Sequence, residues 1–165
     1  MKDAYYKFNK ALLYGKLTHP EMWQEFCELL QTAIDYQMLT DSFIHTALDE
    51  KMVKLLKTLK SRYLIGLITD NKRDRIDAII QHHGWENLFD VVAVSADLHT
   101  GKDQPEIFRY VFEQLGLSSE ECVFIDNTAK NLVVPEALGM YTILFDDEHR
   151  NVEAFTQTLD ALLQE

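Results

Sequence analysis

The chain has 165 residues, 47% of them hydrophobic, a formal charge of −11 at pH 7 and a pI near 4.9. That length suits one domain, or one with a small appendage, and the apolar content supports a sizeable core. The acidic balance argues against nucleic acid and anionic membranes as partners, whose phosphates would be repelled, and it steers no phosphorylated substrate from afar, so any phosphate site has to be local.

The first third reads as helical. Ala4, Tyr5, Phe8, Leu12 and Leu13 form a short stripe closed by Gly15. Pro20 stands where a first-turn proline belongs, and Met22, Trp23, Phe26, Leu29, Leu30, Ala33 and Ile34 follow the helical period after it. Leu48, Met52, Leu55, Leu56 and Leu59 mark a third helix. No apolar leader region stands out at the start, and no run approaches the length of a membrane span, so a soluble cytoplasmic protein is expected. Cys27 and Cys122 sit in apolar surroundings and read as core thiols of a reducing compartment.

From Tyr63 the pattern changes. Four short apolar runs follow: Tyr63–Ile68 ending in Thr69 and Asp70, Val91–Val94 ending in Ser95, Cys122–Ile125 ending in Asp126, and Tyr141–Phe145 ending in Asp146. Helical stretches separate them, stopped by Gly84, Gly116 and Gly139, and a last helix spans Val152–Leu163. Continuously apolar strands alternating with glycine-stopped helices predict an α/β fold, a Rossmann-like parallel sheet covered by helices on both faces. The division expected is a helical segment over 1–49 and an α/β body over 50–165.

Polar groups collect where these strands end. Thr69, Ser95 and Asp126 each close a strand, and Lys102 in "GKDQPEIF" stands just ahead of a helix start, where N–H groups and the dipole favour an anion. A hydroxyl, an ammonium and a carboxylate converging suit a phosphate with a divalent cation. Each residue also has a plainer role. Thr69 could serve a turn, Lys102 could be solvated, and Asp126 could cap the following helix. His82 and His83 end a helix and favour its dipole, Asp146 and Asp147 read as an acidic loop, and Trp23 and Trp85 read as core or rim aromatics.

The order Thr69, "GKDQPEIF", "LGLSSEECVFIDNTAKNL", "ALGMYTILF" resembles the haloacid dehalogenase-like (HAD) hydrolases, in particular their helical-cap phosphatases and dehalogenases. The resemblance covers roughly Leu48 to the C-terminus closely, and "ALLYGKLTHPEMWQEF" looks like cap helices more loosely, a small cap remnant. It implies Mg²⁺-dependent phosphoryl transfer through an aspartyl-phosphate, on a small phosphorylated metabolite. By the same resemblance Thr69 is the phosphate-binding hydroxyl, Lys102 the phosphate-neutralising lysine and Asp126 a Mg²⁺ ligand. Asn127 falls where many relatives carry a second Asp, and Asn131 falls on an Asn that braces the loop.

The sequence departs from that pattern in one decisive respect. The family's nucleophile lies in an Asp-x-Asp motif ending the first strand, and no Asp-x-Asp occurs in these 165 residues. The chain alone is therefore expected not to turn over, with a non-catalytic phosphate-binding or protein-interaction role as the alternative. Asp70 stands where an Asn is common, Asp103 where a Pro is common, and Pro135 is tolerated only if a helix begins there. In the family the first strand lies between those ending at Thr69 and Asp126. Without it, the expectation is that these two strands close up and pair directly; a strand donated by a second subunit, making a homodimer, or by the N-terminal segment are the other ways to satisfy their edges.

Overall fold

Helix stops fall where glycine permits a left-handed residue. The computed structural model describes residues 2–163. It contains helices α1 (Lys2–Leu13), α2 (His19–Leu30), α3 (Gln37–Ile44) and α4 (Glu50–Leu59), then strand β1 (Gly66–Thr69), α5 (Arg73–His83), β2 (Val91–Val94), α6 (Ser95–Leu98) and α7 (Pro105–Leu115). β3 (Val123–Asp126), α8 (Val133–Ala137), β4 (Tyr141–Leu144) and α9 (Val152–Leu162) complete the chain. Gly84 and Gly116 end α5 and α7 at φ 65° and 67°, a region that costs a side chain strain.

α2 shows why its start was legible. The Thr18 backbone N–H and hydroxyl both donate to Glu21 at 2.7 Å, and Pro20 fills a first-turn position whose N–H has no intrahelical acceptor. Its apolar face packs on α1 through Phe8, Leu12, Met22 and Phe26. The helix stops at Leu30, earlier than the periodicity through Ile34 suggested; Ile34 turns its carbonyl to the Trp23 indole N–H instead.

The strands are parallel, as expected, but they form two pairs. β1 lies on β2 with Thr69 opposite Val94, and β3 lies on β4 with Asp126 opposite Leu144. Direct pairing of β1 with β3 is not what the chain does, and the N-terminal segment is the helix α1 rather than a substitute strand. The packing explains this. Val91, Ala93, Ile107, Phe108, Val111 and Phe124 form one core, so α7 packs against both pairs. On the opposite face Phe155 and Leu159 of α9 pack with Met52, Leu55 and Leu59 of α4. β1 is also shorter than its apolar run: Tyr63–Ile65 precede it, because the partner β2 begins only opposite Gly66.

Pro135 sits in the first turn of α8, where its missing N–H is no loss; the helix begins two residues before it. Cys27 and Cys122 are free thiols, partly buried, and burial followed by the Glu121 charge pushes the Cys122 thiol above its ordinary value.

Candidate functional site

β1 and β3 end side by side in function if not in pairing, because one loop reaches both. Lys102 follows Gly101, a buried residue where an added Cβ would stand 3.1 Å from Asp70 Oδ1 and 3.0 Å from Asp103 Oδ1. That tight approach lets the Lys102 backbone N–H donate to Asp70 Oδ1 at 2.9 Å, tying the loop to the end of β1. The Lys102 side chain then crosses to β3, where its ammonium meets Asp126 Oδ2 at 2.6 Å.

Asp126 is 8% exposed, and its second oxygen is occupied as well: Oδ1 accepts from the Thr128 N–H at 2.8 Å and from the Asn131 side-chain amide at 3.0 Å. Burial alone would push this carboxyl up. The Lys102 hydrogen bond and charge outweigh it, helped by Thr128 and Asn131, and hold the group below its usual value. An ionised carboxylate beside a fixed ammonium is thereby kept at the strand end.

Lys102 and Asn131 thus both meet Asp126, the first at Oδ2 and the second at Oδ1. Thr69 closes β1 one residue before Asp70. Asn127 turns elsewhere: its amide donates to Asp147 at 3.0 Å, in the acidic loop after β4. Asp70 and Ser95 support the site, and Thr100 lies close by in sequence. Asp70 anchors the Lys102 loop. Ser95, 2% exposed, accepts from the Asn71 N–H at 3.0 Å and donates to the Asn71 carbonyl at 3.2 Å, locking the turn after β1. The Thr100 hydroxyl, two residues ahead of Lys102, is buried with no hydrogen-bond partner among the described residues. The signal for Ser95 was its strand-end position; Asp70 and Thr100 gave no periodic signal at all.

Magnesium takes near-octahedral oxygen ligation, usually through one or two carboxylates together with substrate phosphates. Asp126 is one carboxylate with both oxygens engaged, and among the described residues no three His, Cys, Asp or Glu side chains gather as a metal would require.

Parallel strands whose polar ends converge on a Lys–Asp pair belong to the open α/β class, which binds ligands in the crevice outside the carboxyl ends of its strands. The family model of the haloacid dehalogenase-like hydrolases matches residues 7–139, and the chain belongs to that family. It is 32% identical over 93 residues to a glyceraldehyde 3-phosphate phosphatase of Methanocaldococcus jannaschii, covering 55% of this chain and 41% of the relative. It is 27% identical over 157 residues to a drimenol cyclase of Aspergillus calidoustus, covering 79% of this chain and 29% of that protein. The chain therefore spans well under two thirds of these relatives. Among solved structures, a HAD family enzyme of Bacteroides thetaiotaomicron superposes with a TM-score of 0.79 at 18% identity, over 94% of this chain and 83% of its own. A structure of that enzyme with magnesium and inorganic phosphate superposes at 0.73 and 20% identity, over 84% of this chain and 76% of its own. At such identities the likeness speaks for the fold.

Proposed function

We propose that this chain carries the phosphate-holding part of a phosphatase-type HAD hydrolase acting on a small phosphorylated metabolite, and that alone it binds phosphate without turning it over. The observation that supports this reading most is the buried Lys102–Asp126 pair, braced by Asn131 and tied to the end of β1 through Asp70. Residues 1–49 are read as the cap and 50–165 as the body. Thr69 and Lys102 would bind phosphoryl oxygens, and Asp126 would contribute one carboxylate to a Mg²⁺ site completed elsewhere. The absence of Asp-x-Asp from the sequence is the reason to expect no turnover, since loss of a nucleophile costs a factor of about 10⁴ or more. Two aspartates that could be considered in its place are held by other partners. Asp97 is engaged by Arg73, and Asp146 by His149 and the backbone N–H groups of Glu148 and His149.

One observation favours the alternative, a protein-interaction remnant of the fold: Lys102 is already neutralised by Asp126, so an incoming anion competes with a carboxylate. Titration of inorganic phosphate against the amide resonances tests both readings. Shifts at Thr69, Asp70 and Lys102, abolished by Lys102→Ala, are expected, with no release of p-nitrophenol from p-nitrophenyl phosphate with or without Mg²⁺. Silent resonances at those residues would leave the crevice without a phosphate role. Turnover that disappears in Asp126→Ala would establish a complete enzyme.

A further inference from the structure

One stretch departs from the charge of the whole chain. Residues 51–62 hold Lys51, Lys54, Lys57, Lys60 and Arg62 and no Asp or Glu, so they carry five of the 16 basic residues and none of the 27 acidic ones. Elsewhere 11 basic residues face 27 acidic ones, a net −16, and a patch of +5 therefore sits on a strongly acidic molecule. α4 carries most of it. Met52, Leu55 and Leu59 turn the apolar stripe of the helix inward, onto Phe155 and Leu159 of α9. Lys51, Lys54 and Lys57 are exposed and mark the outward face.

Three of these cations already have company. Lys51 pairs with Glu153 and Lys60 with Asp90, and the Arg62 guanidinium lies over the Tyr63 ring. Lys54 and Lys57 make no ion pair among the described residues, although they stand three apart on one helix face, where like charges repel. Both border a groove of about 420 Å³, shared with Leu48, Val53 and Glu50. Leu48 is 43% exposed, so the apolar lining of this groove faces solvent.

We propose that this face of α4 is a docking site for a short acidic segment of a partner protein, which lays carboxylates on Lys54 and Lys57 and one apolar side chain in the groove beside them. Charge complementarity sets the sign of the partner, and geometry excludes its rivals. A membrane-surface helix buries its own apolar face in lipid, but that face of α4 is already spent on α9. A nucleic acid is charged along its whole length. Whatever extends beyond this helix of 10 residues, about 15 Å long, meets the net −16 around it. A short acidic segment ends before it does. A second copy of this chain brings −11 to the encounter and is repelled at long range. Glu50 bounds the groove at the first turn of the helix, so the carboxylates of the occupant belong at the Lys54–Lys57 end. No phosphate and no residue of the strand ends takes part, and the inference stands apart from the phosphatase reading.

The test titrates a short synthetic peptide of glutamates with leucine at its centre against the amide resonances of the chain. A control peptide of equal charge has serine in place of the leucine. Shifts are expected at residues 50–58, and affinity should fall steeply as salt rises from about 0.05 M to about 0.5 M. Lys54→Glu combined with Lys57→Glu, at exposed positions that leave the fold intact by circular dichroism, should weaken binding at least tenfold. Glu50→Gln, which removes the one carboxylate in the groove, should tighten it a few-fold. The serine control should bind several-fold more weakly than the leucine peptide. Four results would overturn the proposal: equal binding by the Lys54→Glu, Lys57→Glu chain, equal binding of the serine control, tighter binding of phosphatidylserine vesicles or polyuridylate than of the peptide, or shifts on α4 that grow with chain concentration alone.

Discussion

Lys102 and Asp126 depend on each other. Each is buried enough that removing its partner leaves an uncompensated charge, and breaking such a pair typically costs about 3–5 kcal/mol. Asp126→Ala is accordingly expected to lower the urea midpoint markedly at pH 7, while Asp126→Ala combined with Lys102→Met recovers much of the loss. If the double variant is no more stable than the single one, charge burial is not the cause. The pH dependence has a definite sign. The Asp126 carboxyl is held below its ordinary value of 3.8, so its contribution is complete above that value and disappears as the pH falls through the lower, folded value. Denaturation curves taken below about pH 4 should therefore show a steep decline in the native chain. The slope should be shallower in the double variant, which no longer has the group.

At the scale of elements, the helical segment is clasped to the α/β part by a hydrogen-bonded chain. His19 on α2 is 1% exposed; its Nδ1 meets Asp74 of α5 at 2.6 Å and its Nε2 meets the Tyr5 hydroxyl of α1 at 2.7 Å. Burial and then the Asp74 charge, against the pull of Arg75, push the Tyr5 hydroxyl up to about 12. Lys72 reaches back to Asn9 at 2.7 Å. Gly15 closes the contact from the other side: at φ 61° its backbone lies against the Ala96 carbonyl, which an added Cβ would strike. Gly15→Ala is expected to destabilise by at least the 1 kcal/mol or so of a strained left-handed residue, with the clash adding to it. Exchange protection should fall in α1 and α2 before it falls in β2. An unchanged melting temperature would show that the contact gives way freely.

Much of this level was legible. The stops at Gly84 and Gly116, the first-turn proline Pro20 and the strand Val91–Val94 all follow from local rules of backbone geometry. α3 was not legible, because QMLTDSFI is eight residues long and mixes weak helix formers; it is held by tertiary contact, Phe43 packing on His19 and beneath Arg75. The separation of β1 from β3 was also hidden, since neither strand's own residues disclose which neighbour it takes. At the site, Asp126 could be read from its strand-end position and Lys102 from its place just ahead of a helix start. The turn of Asn127 toward Asp147 could not, because an exposed amide follows whichever partner the loop supplies.

For the molecule as a whole, charge is the quantity that local contacts do not decide. At −11, the folded chain concentrates like charges that the unfolded chain spreads apart, and this self-repulsion opposes folding. Several ion pairs work the other way, but Lys51–Glu153, Arg73–Asp77 and Arg150–Asp147 lie at the surface, where a pair is worth about 0–1 kcal/mol. The Lys102–Asp126 pair is buried and little affected by salt. Salt thus screens a long-range repulsion more than it weakens the contacts that matter. Raising the ionic strength at pH 7 from about 0.02 M to about 0.5 M, which shortens the screening length several-fold, should raise the melting temperature. The gain should shrink toward zero near pH 5, where the pI of 4.9 removes the net charge and leaves no repulsion to screen. A melting temperature that falls with salt at pH 7 would mean that the surface ion pairs, and not the net charge, govern the electrostatic stability of this fold.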